Sequence, residues 1–325
     1  MYIFNVVRKA VVDAPPALPN KEPRIPSKTE EIALRWVKGG VIGVFADGLT
    51  NAPLVMYTRT LAWNAAKLPE SRMRDIFYKL FREGFRGCYS GFPVVAAASF
   101  MGTGGYCVGS QMTRDFFGEG HLTNAAAGVG GQITGSVVAW TKGAVISEIQ
   151  QAPDAIKNPK FINKGPIQIA LIILKESGPS GLYRGFGIQI LNFGAVNSLG
   201  ELFAGILKKQ MSEREDVQEL SLMQKFGINT VSWTAAAGLT APLGFAKLNV
   251  QLKGMSPEHF PDSSALQCIK RVLKNKGIKG IYEGTGARML AIGPRAGVFF
   301  TLMPLGYDDL RKLFNLKIPK QQPAH

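Results

Sequence analysis

The stretch "GPSGLYRGFGIQILNFGA", residues 178–195, decides how this chain is read, because it recurs in altered form. Its relatives are "GFRGCYSGFPVVAAASFMG" at 84–102 and "GIKGIYEGTGARMLAIGPRAG" at 277–297. All three carry three glycines and a tyrosine at the same spacing: Gly84, Gly87, Tyr89, Gly91; Gly178, Gly181, Tyr183, Gly185; Gly277, Gly280, Tyr282, Gly284. The tyrosines recur roughly every hundred residues, and a fixed period of this kind marks an internal repeat. Each copy stands just ahead of a long apolar run, as the entrance to a membrane helix would.

The repeat sets the expected organisation: an N-terminal arm at 1–30, repeats at 31–120, 121–215 and 216–314, and a C-terminal tail at 315–325. Each repeat opens with an apolar, glycine-bearing segment: "RWVKGGVIGVFADGLTNAPLVMYTRTLAW", "NAAAGVGGQITGSVVAWTKGAVISEIQ" and "FGINTVSWTAAAGLTAPLGFAKLNVQL". Small residues four apart (Gly39/Gly43, Gly131/Gly135, Thr234/Gly238) let helix backbones approach closely in lipid. A short amphipathic helix follows, as in "MRDIFYKLFREGF" and "ALQCIKRVLKNKG", whose apolar positions recur at helical spacing and suit a membrane surface. The tyrosine entrance then leads into a second apolar helix, the last of which runs from about Ala287 to Tyr307. The expected fold is an all-α membrane protein of three tandem repeats, each with two transmembrane helices and one surface helix, closing as a pseudo-threefold six-helix bundle.

Composition agrees with helices that meet lipid on one face and water or neighbours on the other. Apolar residues make up 46% and charged residues only 19%. Mean hydropathy is nevertheless only +0.06, and no stretch of about 18 residues is free of polar groups, so the plain test for a single span is not met. The net charge of +15 implies anionic partners. Its cations collect between apolar runs, without the interleaved aromatics of a nucleic-acid face, so lipid head groups are the expected partner and nucleic acid is not.

The three cysteines, Cys88, Cys107 and Cys268, lack metal spacing and read as small buried hydrophobes in a reducing compartment. The three histidines, His121, His259 and His325, are isolated in sequence. No nucleophile-base set, metal cluster or phosphate loop is visible, so neither an enzyme nor a metal site is expected. The N-terminal 30 residues lack both a long apolar signal and an Arg/Ser-rich transit composition, and read as an extended tail or an arm that wraps a partner.

These motifs resemble those of the mitochondrial carrier family, over roughly residues 34–314. That family's odd helices end in Pro-x-acid-x-x-base and run on to a glutamine. Here the matching segments are "PLVMYTRTL" from Pro53, "TKGAVISEIQ" from Thr141 and "PLGFAKLNVQ" from Pro242, while the glycine-aromatic-x-glycine signature before each even helix is matched three times. The resemblance implies the inner mitochondrial membrane, surface helices on the matrix side and termini on the opposite side. Pro53, Pro242 and Pro294 are then helix-kink prolines. It also implies bound cardiolipin as the only small-molecule companion, with Gly87, Tyr89, Gly181, Tyr183, Gly280 and Tyr282 as candidates for holding it at helix N-termini.

The gates depart from the family's pattern. On the matrix side its acidic positions fall on Val55, Gly143 and Gly244 and its basic ones on Thr58, Ile146 and Lys247; Arg59 and Glu148 offer a pair shifted in register. On the opposite side the positions read "SQMTR", "AGILK" and "MPLGY", ending at Arg114, Lys208 and Tyr307, with Gln111, Gly205 and Pro304 where acids belong. The residual gate is therefore Lys247, Arg114, Lys208 and Gln111. At mid-membrane the substrate-contact candidates are Arg295, Asn192 and Arg288, since an ionisable group at that depth is by default functional. Arg295 alternatively pairs with a backbone carbonyl or an acid such as Glu201.

Loss of gate acids with retention of the glycines and prolines favours a structural or accessory subunit of a large inner-membrane complex. The alternative is an active carrier exchanging a small anionic metabolite by alternating access. The arm and the tail "NLKIPKQQPAH" are where a host assembly would dock.

Overall fold

In a computed structural model the chain is described at residues 27–65, 73–118, 121–215 and 220–313; most of the predicted arm and the whole of the predicted tail, 315–325, lie outside them. Eleven α-helices occur among the described residues, and no strand. They are α1 (Lys28–Ala65), α2 (Met73–Cys88), α3 (Phe92–Phe117), α4 (His121–Gly135), α5 (Thr141–Gln151), α6 (Pro166–Leu182), α7 (Phe186–Glu215), α8 (Leu222–Leu239), α9 (Ala241–Leu252), α10 (Ala265–Ile281) and α11 (Thr285–Leu313). By length and composition three of the described helices suffice to cross a membrane, within Glu30–Ala65, Phe92–Phe117 and Phe186–Arg214.

The packing order closes on itself. Helix α1 packs on α3, α3 on α4, α4 on α7, α7 on α8, α8 on α11, and α11 back on α1. At one end α1, α5 and α9 touch one another, and α2, α6 and α10 lie against them in the same pairing. A core cluster fills that end, including Leu61, Ile76, Ile149, Ile169, Leu248 and Phe260. A smaller cluster around Val196, Ile228, Trp233 and Ala296 fills the other.

The close approaches follow the small residues. A Cβ added at Gly43 would lie 2.6 Å from Thr103 Oγ1, and one at Gly131 would lie 2.3 Å from Ser110 Oγ, so α1 and α4 both seat on α3 where they carry glycine. Thr234 is the intruder rather than the host at its contact: its Oγ1 stands 1.9 Å from where a Cβ of Gly293 would be, joining α8 to α11.

The repeated motif has one conformation three times over. Gly84, Gly178 and Gly277 have φ of 63°, 63° and 67° with ψ of −148°, −168° and −165°, a region open to glycine alone, and they break α2, α6 and α10 before the last turn. Gly91, Gly185 and Gly284, at φ 73°, 74° and 75°, start the next helix. The middle glycines, Gly87, Gly181 and Gly280, are buried.

The three segments that carry the motif-proline position differ there. Helix α1 runs unbroken through Pro53. Between α4 and α5, where Thr141 stands in place of the motif proline, a π turn at Ser136–Trp140 inserts the extra residue instead. Between α8 and α9 the chain breaks at Thr240 and restarts with Pro242 in the first turn, where a missing N–H is harmless. Pro294 lies within α11.

Candidate functional site

A cavity of about 180 Å³, partly open to the outside, runs down the middle of the helix ring. Its wall draws on α1, α3, α4, α5, α7, α8, α9 and α11. Aromatic rings of Tyr106, Trp140, Phe193, Trp233, Phe299 and Phe300 supply much of the surface, and the charged side chains among its lining are Asp47, Glu148, Lys247 and Arg295.

Asp47, on α1, holds two of the cavity's polar groups at once. Arg295 of α11 donates to it through Nε and, at 3.4 Å, through Nη2, while Ser99 of α3 donates its hydroxyl to the second carboxylate oxygen. Three helices from opposite ends of the chain thus meet on one carboxylate. Arg295 keeps 31% of its side chain exposed and Asp47 only 9%. The acid partner expected for Arg295, Glu201, instead feels the charges of Arg114 and Lys208.

Where α1, α5 and α9 converge, Lys247 Nζ lies 2.6 Å from Glu148 Oε1, with 9% and 8% of the side chains exposed. The second oxygen of Glu148 has no hydrogen-bond partner among the described residues, and the Phe193 ring lies 5.5 Å from the ammonium. Beside the pair, Thr58 Oγ1 donates to Gln151 Oε1 at 2.9 Å, and Arg59 Nε donates to the Gln151 carbonyl at 3.2 Å. Arg59 also reaches Glu83 of α2 at 2.7 Å. The shifted pair read from sequence, Arg59 with Glu148, is not formed. The two residues belong to one ring of contacts but take other partners, because α9 brings Lys247 nearer to Glu148 than α1 brings Arg59.

Arg288 and Asn192, two of the predicted substrate contacts, touch each other and stand apart from Arg295. The guanidinium donates to Asn192 Oδ1 at 2.8 Å, to Thr240 Oγ1 at 3.2 Å and to the Ala237 carbonyl. Arg288 is buried, and no carboxylate among the described residues forms an ion pair with it. It lies over Gly244, where an added Cβ would be 2.5 Å from Nε, and near the Tyr57 hydroxyl, which has no hydrogen-bond partner among the described residues. Gly143 is used differently: a Cβ there would fall 2.2 Å from that of Ala98, so the missing acid permits α5 to press on α3.

At the other end of the ring Gln111 accepts from Arg35 at 2.8 Å and donates to Asp115 at 2.6 Å, while Arg35 also pairs with Glu31 at 3.0 Å. Pro304 and Tyr307 fall within α11, with side chains outside the described set. Of the lipid candidates, Tyr89 donates to the Gly48 carbonyl at 3.0 Å and Tyr183 to that of Val137 at 3.1 Å. Each hydroxyl thereby ties the motif to an odd-helix segment. Tyr282 is exposed.

Sequence reading did not single out Asp47 or Ser99. The signal was present, since Asp47 is an acid in the middle of "GVFADGLTNAPL", and an ionisable residue inside an apolar span is a candidate by position alone.

Comparison with known proteins places similar chains alongside this one. Residues 218–317 match the family model described as mitochondrial carrier protein. The chain is 26% identical to mitochondrial substrate carrier family protein E of Dictyostelium discoideum, over 89% of this chain and 98% of that protein. It is 26% identical to the mitochondrial 2-oxodicarboxylate carrier of Rattus norvegicus over 88% and 97%, and 25% identical to the mitochondrial S-adenosylmethionine carrier protein of Danio rerio over 87% and 97%.

Proposed function

The chain belongs to the mitochondrial carrier family, whose members are transporters and not enzymes, and on that premise we propose that it is a solute carrier of the inner mitochondrial membrane. In this reading three tandem repeats each supply an odd helix segment, a surface helix and an even helix, and together they enclose the cavity as a six-span bundle. The observation that carries it is the pair of ion contacts at two depths of one cavity, Asp47 with Arg295 and Glu148 with Lys247. An ion pair suits a gate, since it is strong when dehydrated and each partner is tolerable alone once water enters.

The off-register acids bear on how the gates work. Every family acid is absent at Val55, Gly143 and Gly244, yet Lys247 has a carboxylate within 2.6 Å. Lys247 thus has an acid to close against, and that contact needs no acid in the family's register.

The test is reconstitution of the purified chain in cardiolipin-containing vesicles, followed by exchange of labelled solutes. Saturable uptake that disappears in Lys247→Ala supports the carrier. Absence of exchange for a broad panel, from protein that keeps its thermal transition, sinks it.

One observation favours a second reading, an accessory subunit of a larger assembly. Phe77, Tyr78, Phe81 and Phe85 of α2 are all exposed, a continuous aromatic face beyond what one helix needs to rest on lipid. Stoichiometric comigration with a large complex on a native gel after gentle solubilisation would support that reading; migration as a free chain with its lipid would count against it. Cardiolipin at the motif backbones of Gly87, Gly181 and Gly280 belongs to either reading, and its retention through purification is measurable by lipid mass spectrometry.

A further inference from the structure

We infer that the solute held in this cavity is amphoteric, a small molecule bearing both an ammonium and a carboxylate, in the manner of a neutral α-amino acid. The inference rests on the carrier reading above and names the class of its cargo. It departs from the anionic metabolite that a net charge of +15 points to, because that charge is not in the cavity. The charged lining is Asp47, Glu148, Lys247 and Arg295, two acids and two bases, and it sums to zero.

The two pairs differ in reach. Glu148 and Lys247 are both nine-tenths enclosed, whereas Arg295 shows nearly a third of its side chain. The Asp47–Arg295 pair is therefore the one a solute meets. A simple anion that takes Arg295 strips Asp47 of its cation and leaves a carboxylate, itself nine-tenths buried, with only the Ser99 hydroxyl. A simple cation that takes Asp47 leaves Arg295 without its carboxylate, with only about a third of its side chain in reach of water. Leaving a charge uncompensated in such a place is strongly unfavourable. A molecule with both groups enters without that cost. Its carboxylate accepts from the guanidinium while its ammonium donates to Asp47, and every charge keeps a partner throughout. The rings of Phe193, Trp233 and Phe299 remain for an apolar body between or beyond those groups.

The test uses the full chain in phosphatidylcholine and cardiolipin vesicles, loaded and fed with labelled neutral α-amino acids on one side of the panel and 2-oxoglutarate and malate on the other. The expected result is exchange of at least one amino acid about tenfold or more faster than either dicarboxylate, with Asp47→Asn and Arg295→Gln each lowering it by about tenfold or more. Thermal stabilisation of the detergent-solubilised wild type by the same amino acid, and not by malate, is the parallel readout that needs no variant to fold. Faster exchange of a dicarboxylate overturns the inference and leaves the carrier standing. Amino-acid exchange untouched by both substitutions also overturns it. No exchange of any solute by folded protein overturns carrier and cargo together.

Discussion

Lys247 of α9 and Glu148 of α5 form an ion pair of 2.6 Å inside the protein, joining two segments 99 residues apart in sequence. Removing one partner leaves the other charged and enclosed, an arrangement that costs about 3–5 kcal/mol when a buried pair is broken. Lys247→Ala is therefore expected to lower the thermal transition markedly and to abolish exchange. The exchanged pair Glu148→Lys with Lys247→Glu restores both charges and is expected to recover much of the stability. Thermal unfolding of the three purified proteins in detergent checks this; equal damage in the single and exchanged variants would mean the pairing is incidental.

Gly143 and Gly244 both stand where the family places an acid, yet they should respond oppositely to Asp. At Gly143 the obstacle is the Ala98 Cβ, 2.2 Å from an added Cβ, on a packed helix that cannot give. Overpacking of this kind costs about 1–3 kcal/mol, so Gly143→Asp should destabilise. At Gly244 the obstacle is the guanidinium of Arg288, a buried cation held by Asn192, Thr240 and the Ala237 carbonyl but bonded to no carboxylate among the described residues. Gly244→Asp should be near neutral or stabilising, because the new carboxylate meets a guanidinium it can pair with. Parallel thermal scans decide it, and a larger loss at position 244 than at 143 would contradict the geometry.

Glycine is required at Gly84 for a reason that Asn cannot meet. With φ 63° and ψ −148° and nothing within 4 Å, the position is open in space but closed to any residue with a Cβ. Both Gly84→Ala and Gly84→Asn should cost on the order of 1–3 kcal/mol. Gly91, at φ 73° and ψ 0°, is left-handed helical, a region Asn visits. Gly91→Asn should thus lose less than Gly91→Ala, while at Gly84 the two substitutions should be alike. Melting temperatures of the four variants test this contrast.

What the sequence disclosed follows from what a residue type can do alone. The triple motif was legible because six of its glycines sit at positive φ, a demand no neighbour can alter. Gly39 and Gly131 were legible for the same reason, since a helix face that lacks side chains can only be a contact face. The ion pairs were not legible, because helical register says which face a charge is on and not which neighbour comes nearest. Glu148 was visible as a displaced acid, but choosing Lys247 over Arg59 as its partner requires the packing of α5 against α9. Arg288 with Asn192 and Arg295 with Asp47 separate for a similar reason: residues 288 and 295 are two turns apart on α11, so their partners lie at different depths.

Cys268 offers a check on the surface-helix packing that is independent of transport. It sits on α10 with none of its surface exposed, in the cluster that includes Met255, Phe260 and Val272. Burial, seconded by the nearby Asp262 carboxylate, pushes its thiol up to about 12. The raised value means that the folded protein holds the proton more tightly than the unfolded chain, where a cysteine titrates near 8.5. The corresponding stability is fully present below about pH 8.5 and is lost as the pH rises through the folded value. Cys268 should therefore stay unmodified by iodoacetamide at pH 8 in the folded protein and react promptly once the chain is unfolded in denaturant. The thermal transition of the wild type should also fall between pH 9 and 11 more steeply than that of Cys268→Ala. Mass spectrometry of the peptide carrying residue 268 reads the first, and paired pH scans read the second. Rapid labelling of the folded protein at pH 8 would mean that α10 does not rest on the core cluster as described.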